Sequence, residues 1–198
     1  MKKSVRKNSK MNPSQNPSAI RSKKEITDTL LRLMNTYSYN DITVKQIILE
    51  SHVARKTFYR NFLSKDDVLN AYIDSVMQQY IYSLQQLPNC QLSSILDVIF
   101  KFCIQNQDLL FLLRDNNLMH HFLHKWNIFI PMIHNQIVSP DHPMFQTCSA
   151  EQIDYIIAFN VGAIWNVVMK WIEHDMKDTP ETIKTTLLKY LANLSLFT

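Results

Sequence analysis

Lys56, Thr57, Tyr59 and Arg60 fall within five consecutive residues, with Arg55 before them and Asn61 after. These are side chains for touching a polyanion. Arg and Lys donate to guanine O6 and N7, Thr meets a thymine methyl or a phosphate, and the Tyr hydroxyl suits a phosphate oxygen. The intervening Phe58 and Phe62 are four apart, the spacing of one buried helix edge. With those two rings inward, a rotation of about 100° per residue turns Lys56 and Arg60 outward and leaves Thr57 and Tyr59 on the flanks. Something must hold this short helix by its apolar edge. Thr43-x-x-Gln46 is a capping-box pattern opening another short helix, with Val44, Ile47, Ile48 and Ser51 on one side. His52-Val53-Ala54 is a three-residue turn between the two. Two short helices so joined make a helix-turn-helix. Backbone N–H groups at the caps Thr43 and Ser64, with the charge of Lys65, suit phosphates. The competing reading is a basic helix face that is merely solvated.

The charge distribution favours a polyanion partner. Residues 1–65 carry 14 Lys and Arg against 4 Asp and Glu, whereas residues 66–198 carry 7 against 13. Eight of the cations lie in residues 1–24, a segment rich in Asn, Ser and Pro, so a solubilising arm accounts for part of the excess. The other six (Arg32, Lys45, Arg55, Lys56, Arg60, Lys65) lie in periodic sequence. The single glycine, Gly162, excludes every Gly-rich phosphate cradle and argues against tight β-hairpins. No continuous apolar run approaches the ~18 residues of a membrane span, and no signal peptide follows the basic N-terminus. A cytoplasmic protein is therefore expected. Cys90, Cys103 and Cys148 form neither a CxxC pair nor an even set, and are expected as reduced thiols. His120 and His124 are four apart on a helix, with His121, His134 and His142 nearby, but no carboxylate or Cys completes a metal site. No metal, cofactor, nucleophile–base pair or catalytic residue is expected.

Along the chain the pattern is helical throughout. Ser22-x-x-Glu25 is read as the opening of the first helix, with Ile26, Leu30, Leu33 and Tyr37 as its apolar face. Ser64-x-x-Asp67 caps a longer helix with Val68, Tyr72, Val76, Tyr80 and Leu84 in steps of four. Ile95, Ile99, Phe102 and Cys103 mark another, and residues 109–113 a short buried piece. Residues 118–138 are apolar with Pro131 inside, where a kink or break is expected. Ser149-x-x-Gln152 caps a long helix to about Glu173. Thr179-Pro180-Glu181 opens the last, which carries Ile183, Leu187, Leu191 and Leu194. The expected fold is all-α with about nine helices: a basic arm at residues 1–21, a helix-turn-helix domain at 22–68, and a helical domain at 69–198.

Residues 42–47 (ITVKQI) and 53–69 (VARKTFYRNFLSKDDVL) resemble the DNA-binding domain of the TetR (tetracycline-repressor) family. The family pattern runs roughly T-V-x-x-I, then G-V-S-x-x-T-F-Y-x-x-F-x-x-K-x-x-L. The close match covers about residues 22–70; later, Phe159-x-x-Gly162 with Trp165 and Trp171 resembles a helix in some branches. His52 and Ser38 stand where the family often has Gly, and Ala54 where it has a capping Ser. These departures bear on turn geometry and remove no groove-facing group. The resemblance implies a transcriptional regulator of double-stranded DNA rather than an enzyme. Thr43 and Lys45 would meet the DNA backbone; Lys56, Thr57 and Arg60 the base edges, with Arg55 at the helix tip; Tyr59, Asn61 and Lys65 the phosphates. The last two long helices would form a homodimer on a palindromic operator, and the remaining helices would enclose a small-molecule effector. Phe102, Met119, Trp126, Phe159 and Asn160 are the candidate effector residues. Repression is the family's common mode; a partner-controlled activator, or an α-helical adaptor without DNA binding, are the alternatives.

Overall fold

A computed structural model describes residues 17–88, 91–137 and 147–194. Among these residues there are nine α-helices, one 3-10 turn and no strand. The chain divides into two compact units, Met1–Tyr72 and Ile73–Thr198.

In the first unit, α1 (Pro17–Met34) begins earlier than the capping box suggests. Pro17 occupies the first helical position, where its fixed φ suits a helix and its missing N–H costs nothing. Ser22 therefore lies inside α1 and its hydroxyl donates to the Ser18 carbonyl at 2.9 Å. Residues 17–21, expected in the arm, are helical; residues 1–16 lie outside the described set. The buried stripe is Ile26, Thr29, Leu30, Leu33 and Met34. Tyr37 follows the helix end and is exposed, not on the core face. A 3-10 turn (Tyr39–Asp41) leads to α2 (Val44–Glu50), and a short link to α3 (Arg55–Asn61). Both α2 and α3 pack on α1.

The long helix α4 (Lys65–Gln85) opens on Ser64, whose hydroxyl accepts from the Asp67 N–H at 3.1 Å, while the Asp67 carboxylate accepts from the Leu63 N–H at 2.9 Å. Strict steps of four drift about 40° per step round a helix of 3.6 residues per turn. The buried stripe instead mixes threes and fours: Val68 and Leu69, then Ile73, Val76, Met77, Tyr80 and Leu84. Tyr72 falls off it and is half-buried.

The second unit adds α5 (Leu92–Gln105), α6 (Gln107–Asp115), α7 (Met119–Ile137), α8 (Ala150–Glu173) and α9 (Pro180–Leu194). Pro131 lies within α7, which runs through it without a break. Ser149 and Gln152 form the complete capping box: the Gln152 N–H donates to Ser149 Oγ at 3.3 Å, and the Ser149 N–H to Gln152 Oε1 at 2.7 Å. Thr179 caps α9, accepting from the Thr182 N–H at 3.2 Å. Asn117 (φ 59) closes α6, with the Leu118 N–H donating to the Leu113 carbonyl at 2.7 Å. Asp175 and Met176 (φ 55 and 52) close α8, with the Met176 N–H on the Trp171 carbonyl at 2.9 Å. These are Schellman-type closures made without glycine. Ion pairs join the helices: Lys125 to Asp74 at 2.8 Å (α7 to α4) and Lys184 to Asp97 at 2.7 Å (α9 to α5). Arg114 on α6 reaches the Ile172 carbonyl at 2.7 Å and Asp175 at 2.9 Å. Hydrogen bonding to Arg114, then to Lys177, holds the Asp175 carboxyl below its ordinary range.

The core of this unit is ring on ring. Tyr80 lies 5.0 Å from Phe102 and 5.2 Å from Trp126, and Phe122 lies 5.9 to 6.1 Å from Phe102, Trp126 and Trp165. Cys103 sits in the same core, and burial pushes its thiol up to about 12. A thiol attacks as its thiolate, so alkylation of the native protein at pH 8 is expected to spare Cys103 and label half-buried Cys148. Peptide mapping before and after unfolding checks this; equal labelling of both in the folded protein overturns it. Cys90 lies outside the described residues.

An 18-residue window within Glu151–Glu173 of α8 has a mean hydropathy of 1.4, and the helix is long and apolar enough, by length and composition, to cross a membrane. Contiguous apolar runs hide this, because Asp154, Asn160 and Asn166 divide the sequence. Only 33% of that window is buried, and the buried residues of the helix are Ile153, Ile157, Val161, Trp165, Val168, Trp171 and Ile172. The opposite side carries Tyr155, Phe159 and Ala163 outward.

Candidate nucleic-acid interface

The helix pair is positioned from both ends. Thr43 caps α2, its hydroxyl accepting from the Gln46 N–H at 3.1 Å. Only this half of the expected capping box forms, since the Gln46 side chain turns to Glu50 Oε1 at 3.5 Å. Ile47 is fully buried beneath α2, and Glu50 takes the Arg32 guanidinium from α1 at 2.9 Å. The turn then needs a left-handed residue. His52 supplies it with φ 53, a conformation that costs a side-chain-bearing residue more than glycine. Ala54 caps α3 with no side-chain bond, leaving only backbone contacts from Thr57 and Phe58 to its carbonyl. His52→Gly and Ala54→Ser should therefore each stabilise the helix pair by about 1 kcal/mol. Urea midpoints read this; a lower midpoint in both variants would show that these positions carry no strain and no missing cap.

On α3 the inward and outward faces separate as the spacing predicts. Phe58 is fully buried and Phe62 nearly so, with their rings 6.2 Å apart. Arg55, Lys56, Tyr59 and Arg60 are exposed and Thr57 is half-buried. The Arg55 guanidinium lies over the Tyr59 ring, 5.5 Å from its centre, and the Phe58 and Tyr59 rings meet edge to face with centres 5.4 Å apart. Tyr59 is thus held between an inward ring and an outward cation. The Asn61 amide donates to the Thr57 carbonyl at 2.8 Å. Thr43 and Lys45 stand exposed at the start of α2.

Many of the cations outside α2 and α3 are paired. Lys24 pairs with Asp28, Arg32 with Glu50, Arg114 with Asp175, Lys125 with Asp74 and Lys184 with Asp97. No ion pair reaches Lys45, Lys56 or Arg60 among the described residues. Their charges are presented to solvent without internal neutralisation.

Lys65 is engaged within the protein. Its ammonium donates to the carbonyls of Tyr39 at 2.6 Å, Ile42 at 2.9 Å and Asn40 at 3.2 Å, and lies 4.5 Å from the Tyr39 ring centre. The Tyr39 hydroxyl donates to Asp66 Oδ1 at 2.5 Å, and burial, then that bond, pushes its pKa upward. Sequence reasoning missed Tyr39 and Asp66 because the pair is 27 residues apart and no local spacing connects them.

The candidate effector residues do not come together. Phe102, Met119 and Trp126 are buried in the second unit. Phe159 is 73% exposed and Asn160 is exposed too. For Phe159 the reason is angular: two residues beyond buried Ile157, it lies about 200° round the helix, off the inward stripe. Asn166 is likewise exposed and donates to the Gly162 carbonyl at 2.7 Å, so neither amide is a buried group in search of a partner. In the tautomer with a protonated Nδ1, His120 donates to the Asn117 carbonyl at 3.2 Å, and its ring lies 4.3 Å from that of His121. Among the described residues no group of three or more His, Cys, Asp or Glu is placed to hold a metal ion. The side chain of His134 and all of His142 lie outside them.

Residues 26–72 match the family of bacterial regulatory proteins of the tetR type, and residues 91–193 match the family described as a transcriptional regulator C-terminal region. No curated protein sequence matches the chain. Several solved structures share its fold, among them three that each cover 89% of this chain. A TetR transcriptional regulator from Streptococcus agalactiae is 21% identical with a TM-score of 0.55, over 94% of its own length. The dihydroxyacetone kinase operon activator DhaS is 20% identical with a TM-score of 0.54, over 98% of its length. The fatty acid degradation regulator FadR from Bacillus halodurans is 16% identical with a TM-score of 0.53, over 95% of its length. With one family match on the helix-turn-helix and a second spanning more than half of the chain, this protein belongs to the TetR family of transcriptional regulators.

Proposed function

We propose that this regulator is a cytoplasmic homodimer that reads a palindromic operator through α3 and represses transcription until a small molecule releases it. The observation that carries the DNA-reading part is the set of unneutralised cations, Lys45, Lys56 and Arg60, on the exposed side of a helix pair whose other side is anchored by Ile47, Phe58 and Phe62. In this reading Lys56, Thr57 and Arg60 face base edges and Arg55 the helix tip. Thr43, Lys45, Tyr59 and Asn61 contact the DNA backbone.

The dimer reading is supported by α8. Its outward side exposes Tyr155 and Phe159, and α9 exposes Tyr190 and Leu191. A Cβ built on Gly162 would meet nothing within 4 Å inside the chain, so the chain's own packing gives glycine no purpose there. Close approach of the same helix from a second copy would. A two-fold dimer sets its recognition helices about 34 Å apart, one turn of DNA, which is why the operator is read as palindromic.

The effector is placed beside Phe102, Met119 and Trp126, where a ligand would part packed rings; Phe159 and Asn160 are left out of this set. The test is selection of bound sequences from a random duplex pool, followed by metabolite screening for release, with Trp fluorescence as the readout. Recovery of a palindrome with salt-dependent binding is the expected result. A chain that retains no duplex above background at low salt sinks the reading. A reporter fused to the selected operator gives the sign of control; one structural relative is described as an operon activator, so increased expression would replace repression by activation.

A further inference from the structure

The first residues of α4 do more than begin a helix. All three protons of the Lys65 ammonium are matched by carbonyls of one short segment, Tyr39, Asn40 and Ile42. Those carbonyls lie at and just after the 3-10 turn, where the exposed negative ends of the peptide dipoles favour a cation; the Tyr39 carbonyl also accepts from the Ile42 N–H at 3.2 Å. The Tyr39 ring adds a face for the ammonium, and its hydroxyl is held by the neighbouring Asp66. Two adjacent side chains of α4 thus clamp both sides of the 39–42 turn. The next residue in sequence is Thr43, the cap of α2, and Lys45 follows within its first turn. Ile42 is itself 2% exposed, so the approach to α2 is fixed by a buried side chain on one side and by Lys65 on its carbonyl.

We infer that Lys65 is a positioning residue: it spends its charge inside the protein, locking the turn that aims Thr43 and Lys45, and makes no phosphate contact. The inference rests on the DNA-reading function proposed above and assigns one residue within it. Charge-assisted bonds are about twice as strong as neutral ones, and taking this ammonium to a phosphate would break three of them.

Salt dependence separates the two roles. Each phosphate contact adds about 0.9 to the slope of log affinity against log salt. Lys65→Met is expected to lower affinity for the selected duplex about tenfold, the loss of one or two well-placed polar contacts, at unchanged slope. Tyr39→Phe, which alters no charge, is expected to act in the same direction at the same slope. Lys45→Ala, by comparison, should flatten the slope. The proposal is overturned if Lys65→Met flattens the slope by about one phosphate while Tyr39→Phe binds like wild type. Amide exchange at Asp41 and Ile42 gives a readout without DNA, and wild type and Tyr39→Phe provide it even if Lys65→Met does not fold. These N–H groups bond to the Ser38 and Tyr39 carbonyls at 3.0 and 3.2 Å. Faster exchange at both in Lys65→Met, or in Tyr39→Phe where Lys65→Met does not fold, supports the lock; unchanged exchange in that variant refutes it. If the wild-type chain binds no duplex, the DNA reading fails while the exchange experiment still decides the lock.

Discussion

Replacing Lys56 and Arg60 together by alanine is expected to weaken binding to the selected operator by about thirtyfold or more while leaving the fold intact. A well-made contact from Arg or Lys to a base pair contributes about 1–3 kcal/mol of discrimination, so two of them span roughly 2–6 kcal/mol. Both side chains are exposed and neither takes part in an ion pair among the described residues, so truncation removes no internal support. The loss should be selective: affinity for the operator falls towards that for random duplex, which backbone contacts still hold. Lys45→Ala should instead weaken operator and random duplex alike. Fluorescence anisotropy with both duplexes at two salt concentrations makes the measurement, with far-UV circular dichroism as the fold control. Operator preference undiminished in the double variant would mean that α3 does not read bases.

Trp126→Ala should be the most damaging single substitution for stability in the second unit. The indole is 2% exposed and packs against Tyr80, Phe122 and Trp165 at 5.2, 6.0 and 5.9 Å. Emptying such a site costs about 3–5 kcal/mol, the lost transfer energy plus an unfilled cavity. For a chain of this size each kcal/mol lowers Tm by about 2–4 °C, so a drop near or above 10 °C is expected. Trp126→Phe keeps a ring in the cluster and should lose clearly less. Equal melting of Trp126→Ala and wild type would show that the cluster is loosely filled.

The helix-turn-helix was readable because its signals are local. Phe58 and Phe62 at spacing four face inward, and the side chains between them face outward. The caps at Thr43, Ser64, Ser149 and Thr179 all form, each from a hydroxyl three residues before the N–H it accepts. His52 adopts the left-handed turn that its place in the motif demands. The misreadings arise where a local rule met a competing one. A plausible capping box at Ser22 lost to Pro17, five residues earlier. Steps of four on α4 put Tyr72 on a face that a 3.6-residue turn moves away from. Phe159 and Asn160 were assigned by residue type, whereas both are exposed, Phe159 because of its angle round α8. Lys65 shows what spacing cannot reach: its charge was visible, but its partners lie 23 to 26 residues back in the chain.

Trp126 and Trp165 lie 5.9 Å apart with their planes at 68°. Transition dipoles held that close and that skewed couple, and an exciton couplet in the ultraviolet circular dichroism is the physical result. Its sign and size depend on mutual angle and separation rather than on helix content. A molecule wedged between the two indoles would collapse the couplet without changing the helical bands, so the protein carries its own optical gauge of whether its aromatic interior is closed.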